Sequence, residues 1–140
     1  MSDYLQTFAE RFAGLHAGNL QRLDELYSEA VTFRDPLHQI EGLPALRAYF
    51  ATLYANVQDI RYDFHGADQV QPGHGYLRWT LHFCHPRLAG GRPISLDGCT
   101  HLRWRDRVDF HQDYFDVGAL LYEHVPVVGG LIGWLKGRLA

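Results

Sequence analysis

The hydrophobic pattern of this chain changes its period near residue 57, and this change constrains the fold more than any other feature. Before it, apolar residues recur every three or four positions, which is typical of amphipathic helices. After it, apolar and polar residues alternate, which is typical of strands with one buried face. Helices followed by strands predict an α+β fold in which the helices pack on one face of an antiparallel sheet.

Three helices are predicted before this change. They cover residues 3–17, 20–27 and 44–56, and each places its apolar residues on one side. The third begins at Pro44, because proline suits the first turn of a helix. Between the second and third helices, the run AVTFRDP alternates as a strand does. It ends at Pro36, which cannot continue a ladder of hydrogen bonds.

Four strands are predicted after the change, joined as an antiparallel meander. Their boundaries are 57–64, 76–85, 94–105 and 107–117. The alternation in the second of them places Leu77 and Trp79 on the inner face. A register shifted by one residue would place Arg78 and Thr80 there instead, since a slip of one residue exchanges the two faces of a strand.

Neither an internal repeat nor a linker interrupts this pattern. Residues 1–140 are therefore predicted to form one domain, with residues 124–140 as a C-terminal tail. The glycines of the tail disfavour a stable helix. We expect this apolar segment to pack on the domain or on a second copy of the chain. The alternatives are a lid over a pocket and contact with a membrane surface through residues around Trp134.

The charge and the cysteine content exclude several classes of protein. A net charge of −3 provides no basic surface for nucleic acid, and no apolar run reaches the roughly 18–20 residues of a membrane-spanning helix. The N-terminal residues lack the pattern of a secretory signal, so a cytoplasmic protein with free thiols at Cys84 and Cys99 is expected. The histidines show no zinc-binding spacing, so no metal site is predicted.

Two segments of the chain resemble a known superfamily. The run VTFRDPLHQIEGLPALRAYF is similar to the strand, Asp-Pro, glycine and helix segment of the NTF2-like (cystatin-like) superfamily. The run HQDYFDVGALLYEHVPVVGGLIGWLKGRL is similar to the final strand and tail of its bacterial SnoaL-like members. The resemblance implies a cone-shaped α+β barrel, in which a strongly bent sheet wraps around three N-terminal helices and closes over an apolar pocket. It also implies a homodimer through the outer face of the sheet, and no cofactor.

The superfamily contains isomerases, cyclases, dehydratases, epoxide hydrolases and non-catalytic binders, so the resemblance alone does not choose a function. In its ketosteroid isomerases the general base is the aspartate of the Asp-Pro pair, which corresponds to Asp35. A partly desolvated carboxylate suits that role; alternatively, Asp35 only forms the turn before Pro36.

The oxyanion-hole donors of those enzymes correspond to Phe12 and Thr100, and a supporting tyrosine corresponds to Phe50. The familiar steroid chemistry is therefore not expected.

Asp113 is the second candidate catalytic residue. It corresponds to the acid or base of SnoaL-like cyclases and to the catalytic aspartate in an Asp-Tyr-Phe-Asp run of limonene-epoxide hydrolase. In the predicted last strand, His111 and Phe115 share its face, and Thr100 lies on the neighbouring strand. A carboxylate beside an imidazole suits proton transfer. The alternative is a structural Asp113, bonded to Thr100 or Tyr27. The Arg–Asp pair that completes the epoxide hydrolase site is not matched in either register of the second strand.

Aromatic residues make up 14% of the chain, and many of them face the inside of the predicted cone. This content predicts a pocket for a small apolar molecule. The residues expected to line it are Phe12, Tyr27, Phe50, Tyr54, Trp79, Trp104 and Phe115. The leading hypothesis is acid–base chemistry of isomerase, cyclase or hydrolase type on this molecule. The alternatives are a non-catalytic binder and a protein-interaction module.

Overall fold

The computed structural model describes residues 3–118 and 126–139 of the chain. Its α-helices of four residues or more are α1 (Asp3–Ala13), α2 (Leu23–Leu26), α3 (Leu43–Asn56) and α4 (Pro126–Leu139). Its strands are β1 (Tyr27–Arg34), β2 (Gln39–Glu41), β3 (Gln58–Gln71), β4 (His74–Cys84), β5 (Ile94–Trp104) and β6 (Val108–Phe115). The described residues therefore form an α+β fold in which helices precede a meander, as the change of period predicts.

The six strands form one curved sheet in the order β2-β1-β6-β5-β4-β3. The meander from β3 to β6 is antiparallel, as predicted. The prediction of a wholly antiparallel sheet is wrong for one pair, because β1 runs parallel to β6. A parallel pair needs a long connection, and here the chain passes through α3 and three strands of the meander before it returns as β6. The sequence does not predict β2, because three residues are too few to show an alternation.

The helices α1 and α3 pack against the inner face of the sheet. The contacts of α1 are mainly with β3, and those of α3 are mainly with β1. Leu5 and Phe8 of α1 and Leu46 and Phe50 of α3 are buried in one hydrophobic core. The second predicted helix is reduced to a 3₁₀ turn at Leu20–Arg22 followed by the four residues of α2. The N-terminal region therefore has two long helices rather than three.

Of the two registers considered for β4, the structure has the one that places the apolar residues on the inner face. Leu77 and Trp79 are buried, whereas Arg78 is exposed on the outer face. Gly98 of β5 lies opposite Trp79 in the register of the two strands. A Cβ atom at Gly98 would collide with the indole ring, so the glycine provides the space in which Trp79 lies.

The long strand β3 bends because its pairing with β4 is interrupted. The register shifts three times along the strand, and the central shift lies between Phe64 and Gly66. Such bulges bend a strand and increase its twist. The bent strand carries Ile60 and Tyr62 towards α3 on the inner side, where they contribute to the cavity described below.

The C-terminal tail contains α4, so the prediction that its glycines disfavour a helix is wrong. Glycine propensity is a weak preference that the remaining residues of a segment can override. Residues 124–125 and 140 of the predicted tail lie outside the described residues. Lys136 Nζ lies 3.9 Å from Asp116 Oδ2, which connects α4 with the chain just after β6. Among the helices described, none is long and apolar enough to cross a membrane.

Candidate functional site

A cavity of about 870 Å³ lies between α3 and the inner face of the sheet. Most of its wall is aromatic or aliphatic, which is typical of small-molecule sites. The aromatic lining residues are Phe12, Phe33, Tyr49, Phe50, Tyr54, Tyr62, Trp79, Phe83 and Phe115. Two carboxylates from distant parts of the sequence, Asp35 after β1 and Asp113 of β6, line the same cavity.

Asp113 is held in place through one of its two oxygens. Its Oδ1 lies 2.8 Å from His111 Nε2 and accepts a hydrogen bond of 2.5 Å from the Thr100 hydroxyl. Behind these partners, the Tyr27 hydroxyl lies 2.9 Å from His111 Nδ1, and Trp79 Nε1 donates to Thr100 Oγ1 over 2.8 Å. The Oδ2 oxygen accepts no hydrogen bond from the part of the chain that the structure describes.

The direction of each hydrogen bond in this chain follows from the groups involved. The Trp79 indole can only donate, so the Thr100 oxygen accepts from it and the Thr100 hydrogen is available to Asp113. His111 is assigned the tautomer with its proton on Nε2, because that nitrogen faces the carboxylate and Nδ1 can then accept from Tyr27. Both branches therefore donate towards Asp113 Oδ1, as a charged carboxylate requires.

Asp35 is held through both of its oxygens. Its Oδ1 accepts from the backbone N–H groups of Leu37 at 2.8 Å and His38 at 2.7 Å, and lies 3.0 Å from His38 Nδ1. Its Oδ2 accepts from the Tyr49 hydroxyl of α3 at 2.9 Å. The two backbone contacts form the turn before β2, so Asp35 has the turn-forming role of the sequence-based alternative and also lines the cavity.

Burial keeps the phenols of the cavity wall protonated. Desolvation, followed by the charge of Asp113, raises the pKa of Tyr62 well above its usual value. Desolvation and the hydrogen-bonded charge of Asp35 raise the pKa of Tyr49. Desolvation alone raises the pKa of Tyr54 to about 12. The hydroxyls of Tyr54 and Tyr62 bond to no residue in the described ranges, so they can donate to a molecule in the cavity.

The structure brings the four candidate catalytic residues together only in part. Thr100 and His111 lie beside Asp113 and are buried behind it, so they contact the carboxylate rather than the cavity. Asp35 lines the cavity without a direct bond to this group. Five of the candidate lining residues are in the wall, namely Phe12, Phe50, Tyr54, Trp79 and Phe115.

Two candidate lining residues do not reach the cavity. Tyr27 is fully buried and supports His111 from behind. Trp104 faces inward, as its strand predicts, but it lies at the other end of β5, where Tyr4 of α1 stacks on it with ring centroids 4.8 Å apart. Alternation along a strand predicts which face a side chain occupies, but not whether a helix covers it at that level.

Tyr49 and Tyr62 are polar groups of the site that the sequence did not identify. Both occupy inward positions in the predicted patterns, so the apolar face of α3 and the alternation in β3 were the available signals. The hydroxyl contact of Tyr49 depends on Asp35, and the ring contacts of Tyr62 depend on Phe12 and Trp79, all of them distant in sequence. Within residues 3–118 and 126–139, no three His, Cys, Asp or Glu side chains are grouped so that they could hold a metal ion.

The comparisons with known proteins agree with this fold. The family model of the SnoaL-like domain matches residues 7–108. The chain belongs to the SnoaL-like domain family. This confirms the resemblance noted in the sequence. No curated protein sequence matches the chain.

Several solved structures share the fold of this SnoaL-like chain. A protein of Jannaschia sp., described as a SnoaL-like polyketide cyclase, is 14% identical with a TM-score of 0.75, over 91% of this chain and 96% of its own. A ketosteroid isomerase-like protein of Catenulispora acidiphila, solved with trimethylamine, is 16% identical with a TM-score of 0.74, over 89% and 93%. An LEH-like epoxide hydrolase of M. tuberculosis is 14% identical with a TM-score of 0.69, over 92% and 94%. At these identities the likeness establishes the fold and leaves the chemistry open.

Proposed function

We propose that the protein binds a small, mostly apolar molecule in this cavity and moves a proton on it, with Asp113 as the general base. The observation that carries the proposal is the difference in hydrogen bonding between the two carboxylate oxygens of Asp113. Oδ1 accepts two hydrogen bonds, whereas Oδ2 accepts none from the described residues. A carboxylate that is fixed in orientation, with one oxygen directed at a largely apolar cavity, is suited to take a proton from a bound carbon or oxygen acid.

The phenols of the wall supply the complementary function. Removing a proton next to a carbonyl group develops negative charge on its oxygen, and a preorganised donor stabilises that charge in a site of low polarity. Phe12 and Phe50 cannot donate, although they occupy positions where a steroid isomerase has tyrosines. Tyr62 packs against Phe12 with ring centroids 5.2 Å apart, and its free hydroxyl is our candidate for this donor.

This arrangement favours isomerisation or ring closure over epoxide hydrolysis. Leu77 and Trp79 occupy the inner face of β4, where the epoxide hydrolases have an arginine and an aspartate, and Arg78 pairs with Asp68 on the outer face. The guanidinium group is therefore on the wrong side of the sheet to assist at the epoxide oxygen. The proposed reaction class is proton transfer on a carbonyl compound, without a cofactor.

The test distinguishes catalysis from binding alone. A molecule retained by the purified protein, or found by screening for ligands, is identified by native mass spectrometry and then incubated with the protein in D₂O. We expect deuterium to enter the molecule at a carbon-bound position in the presence of the wild-type protein, and to do so much more slowly with Asp113→Asn. Binding without exchange would support the alternative of a non-catalytic binder.

A further inference from the structure

We propose that the molecule bound in this cavity carries a positive charge, as a hydrophobic amine or quaternary ammonium group does. This inference rests on the proposed function, because it names the class of molecule that occupies the same site. It follows from the charges in the cavity wall, from the aromatic rings of the same wall, and from the different environments of the two aspartates.

Among the described lining residues, the carboxylates are the only side chains with a fixed charge; the two histidines of the wall are His38, whose Nδ1 lies 3.0 Å from Asp35 Oδ1, and His85. Asp35, Glu41 and Asp113 line the cavity, and none of its described lining residues is lysine or arginine. Residues 1–2, 119–125 and 140, which lie outside the described ranges, contain no lysine or arginine either. Apart from these histidines, the described wall offers an anionic group of a ligand no positive partner, and it would hold such a group close to three carboxylates.

Asp35 and Asp113 differ in how many of their carboxylate oxygens already accept hydrogen bonds from the described residues. Asp35 accepts hydrogen bonds at both oxygens, from two backbone N–H groups and the Tyr49 hydroxyl, so its charge is compensated within the protein. Among the described residues, Asp113 has hydrogen-bond partners at Oδ1 only. A carboxylate that is mostly removed from water needs a partner for its remaining oxygen. A cation elsewhere in the cavity would compensate this charge by attraction through space, and Oδ2 would remain available for the proton transfer proposed above.

Aromatic rings line the same cavity as this carboxylate. Trp79 is connected to Asp113 through Thr100, and the ring of Tyr62 lies edge-on to Trp79 with centroids 5.6 Å apart. Phe12 packs against Tyr62 on the other side. The faces of such rings attract cations through their quadrupoles, and several of them around one point are the usual environment of a bound ammonium group. Asp113 and these rings together form a site of negative potential in a largely apolar wall.

A neutral molecule would use only the apolar part of this wall. The end of the cavity near Phe83, Leu88 and Leu96 is aliphatic and aromatic, and accommodates an uncharged hydrocarbon portion of the ligand. The inferred ligand therefore has a cationic nitrogen near Asp113 and an apolar portion directed towards Phe83.

The experiment compares three probes of similar shape that differ in charge. Phenyltrimethylammonium is positive, tert-butylbenzene is its neutral isostere, and benzenesulfonate is a negative analogue. Binding to the wild-type protein is measured by ligand-observed NMR and by the change in tryptophan fluorescence, since Trp79 lines the cavity. We expect the cation to bind about tenfold more tightly than tert-butylbenzene, the scale of one cation–aromatic and one ionic contact, and benzenesulfonate to bind most weakly.

Variants identify the source of the preference. Asp113→Asn keeps the shape of the side chain and is expected to reduce the ratio of cation to neutral affinity several-fold, and Asp35→Asn to reduce it less. The matched control is Asp97→Asn, because Asp97 is exposed on the outer face of β5, where it accepts from Thr80. This control should leave the ratio unchanged.

The outcomes separate the two proposals. If tert-butylbenzene binds as tightly as the cation, the charge inference is overturned while binding of a small apolar molecule stands. A preference that survives in both Asp113→Asn and Asp35→Asn would also overturn it. If none of the three probes binds, the proposed function fails together with the inference.

Discussion

The two carboxylates of the cavity wall, Asp35 and Asp113, differ in how the protein holds them. Asp35 lies in a turn at the end of β1, and both of its oxygens accept hydrogen bonds. Asp113 lies within β6, and only Oδ1 is bonded to described residues. Carboxylates that share one cavity can therefore have separate roles. The first holds a turn and α3 together, and the second keeps one oxygen without a hydrogen bond from the described residues.

The difference arises from the elements that carry them. A turn exposes backbone N–H groups that need acceptors, and an aspartate side chain satisfies them locally. In the middle of a strand the backbone groups are already paired with neighbouring strands, so the Asp113 side chain is supported by side chains of β5 and β6 instead. Side-chain support can hold one oxygen and leave the other free.

The largest effect is expected for Asp113→Asn. The asparagine keeps an acceptor for Thr100 but loses the base, and general base catalysis contributes about 10²–10⁴-fold to a rate. We expect the rate of deuterium exchange into the bound molecule to fall by that factor, with less than a twofold change in Asp97→Asn. A rate in Asp113→Asn within tenfold of the wild type would assign the proton transfer to another group.

The next effect is on stability, and it belongs to Asp35. Asp35→Ala leaves the N–H groups of Leu37 and His38 and the Tyr49 hydroxyl without their acceptor. We expect the free energy of unfolding to fall by about 1–3 kcal/mol, measured by urea denaturation. Asp35→Asn retains an acceptor oxygen and should lose less. Equal stability of the alanine variant and the wild type would contradict the role of Asp35 in holding the turn.

A smaller effect is expected at Thr100, which positions Asp113. Thr100→Val preserves the shape of the side chain but removes the hydrogen bonds to Asp113 and Trp79. We expect a loss of about 1 kcal/mol in unfolding free energy and a decrease in exchange rate that Thr100→Ser largely restores, because serine keeps the hydroxyl. If valine and serine behave alike in the exchange assay, the Thr100 hydroxyl does not orient the base.

The smallest effect at neutral pH, which becomes measurable at alkaline pH, concerns a phenol of the cavity wall. The pKa of Tyr54 is raised by burial from its ordinary 10 to about 12. Between these values the unfolded chain releases the phenolic proton and the folded chain keeps it. The contribution of this group to the free energy of unfolding is therefore fully present below pH 10 and is lost as the pH rises towards 12. The slope is about 1.4 kcal/mol per pH unit for one such group. Urea unfolding across this range should show a shallower decline in Tyr54→Phe; an unchanged decline would contradict the assignment.

The sequence predicts most of the fold because the relevant signals are local. The spacing of apolar residues identifies α1 and α3, and the alternation in β4 to β6 identifies both the meander and the residues of its inner face, including Leu77, Trp79 and Asp113. The failures are the parallel pairing of β1 with β6, the short strand β2, and the helix α4. The strand pairing and the helix depend on contacts with distant residues, and β2 is too short to show a pattern.

The candidate site divides in the same way. From the sequence, the resemblance to the superfamily selected Asp35 and Asp113 as the carboxylates to consider. The hydrophobic pattern by itself determined that aromatic residues would form the wall, since residue type and face are local properties. Only the tertiary structure decided that Tyr49 holds Asp35, that Tyr27 and Trp104 lie outside the cavity, and that one Asp113 oxygen accepts no hydrogen bond from the described residues. The physical reason is that a hydrogen bond between side chains depends on the relative placement of distant elements to within a few tenths of an ångström.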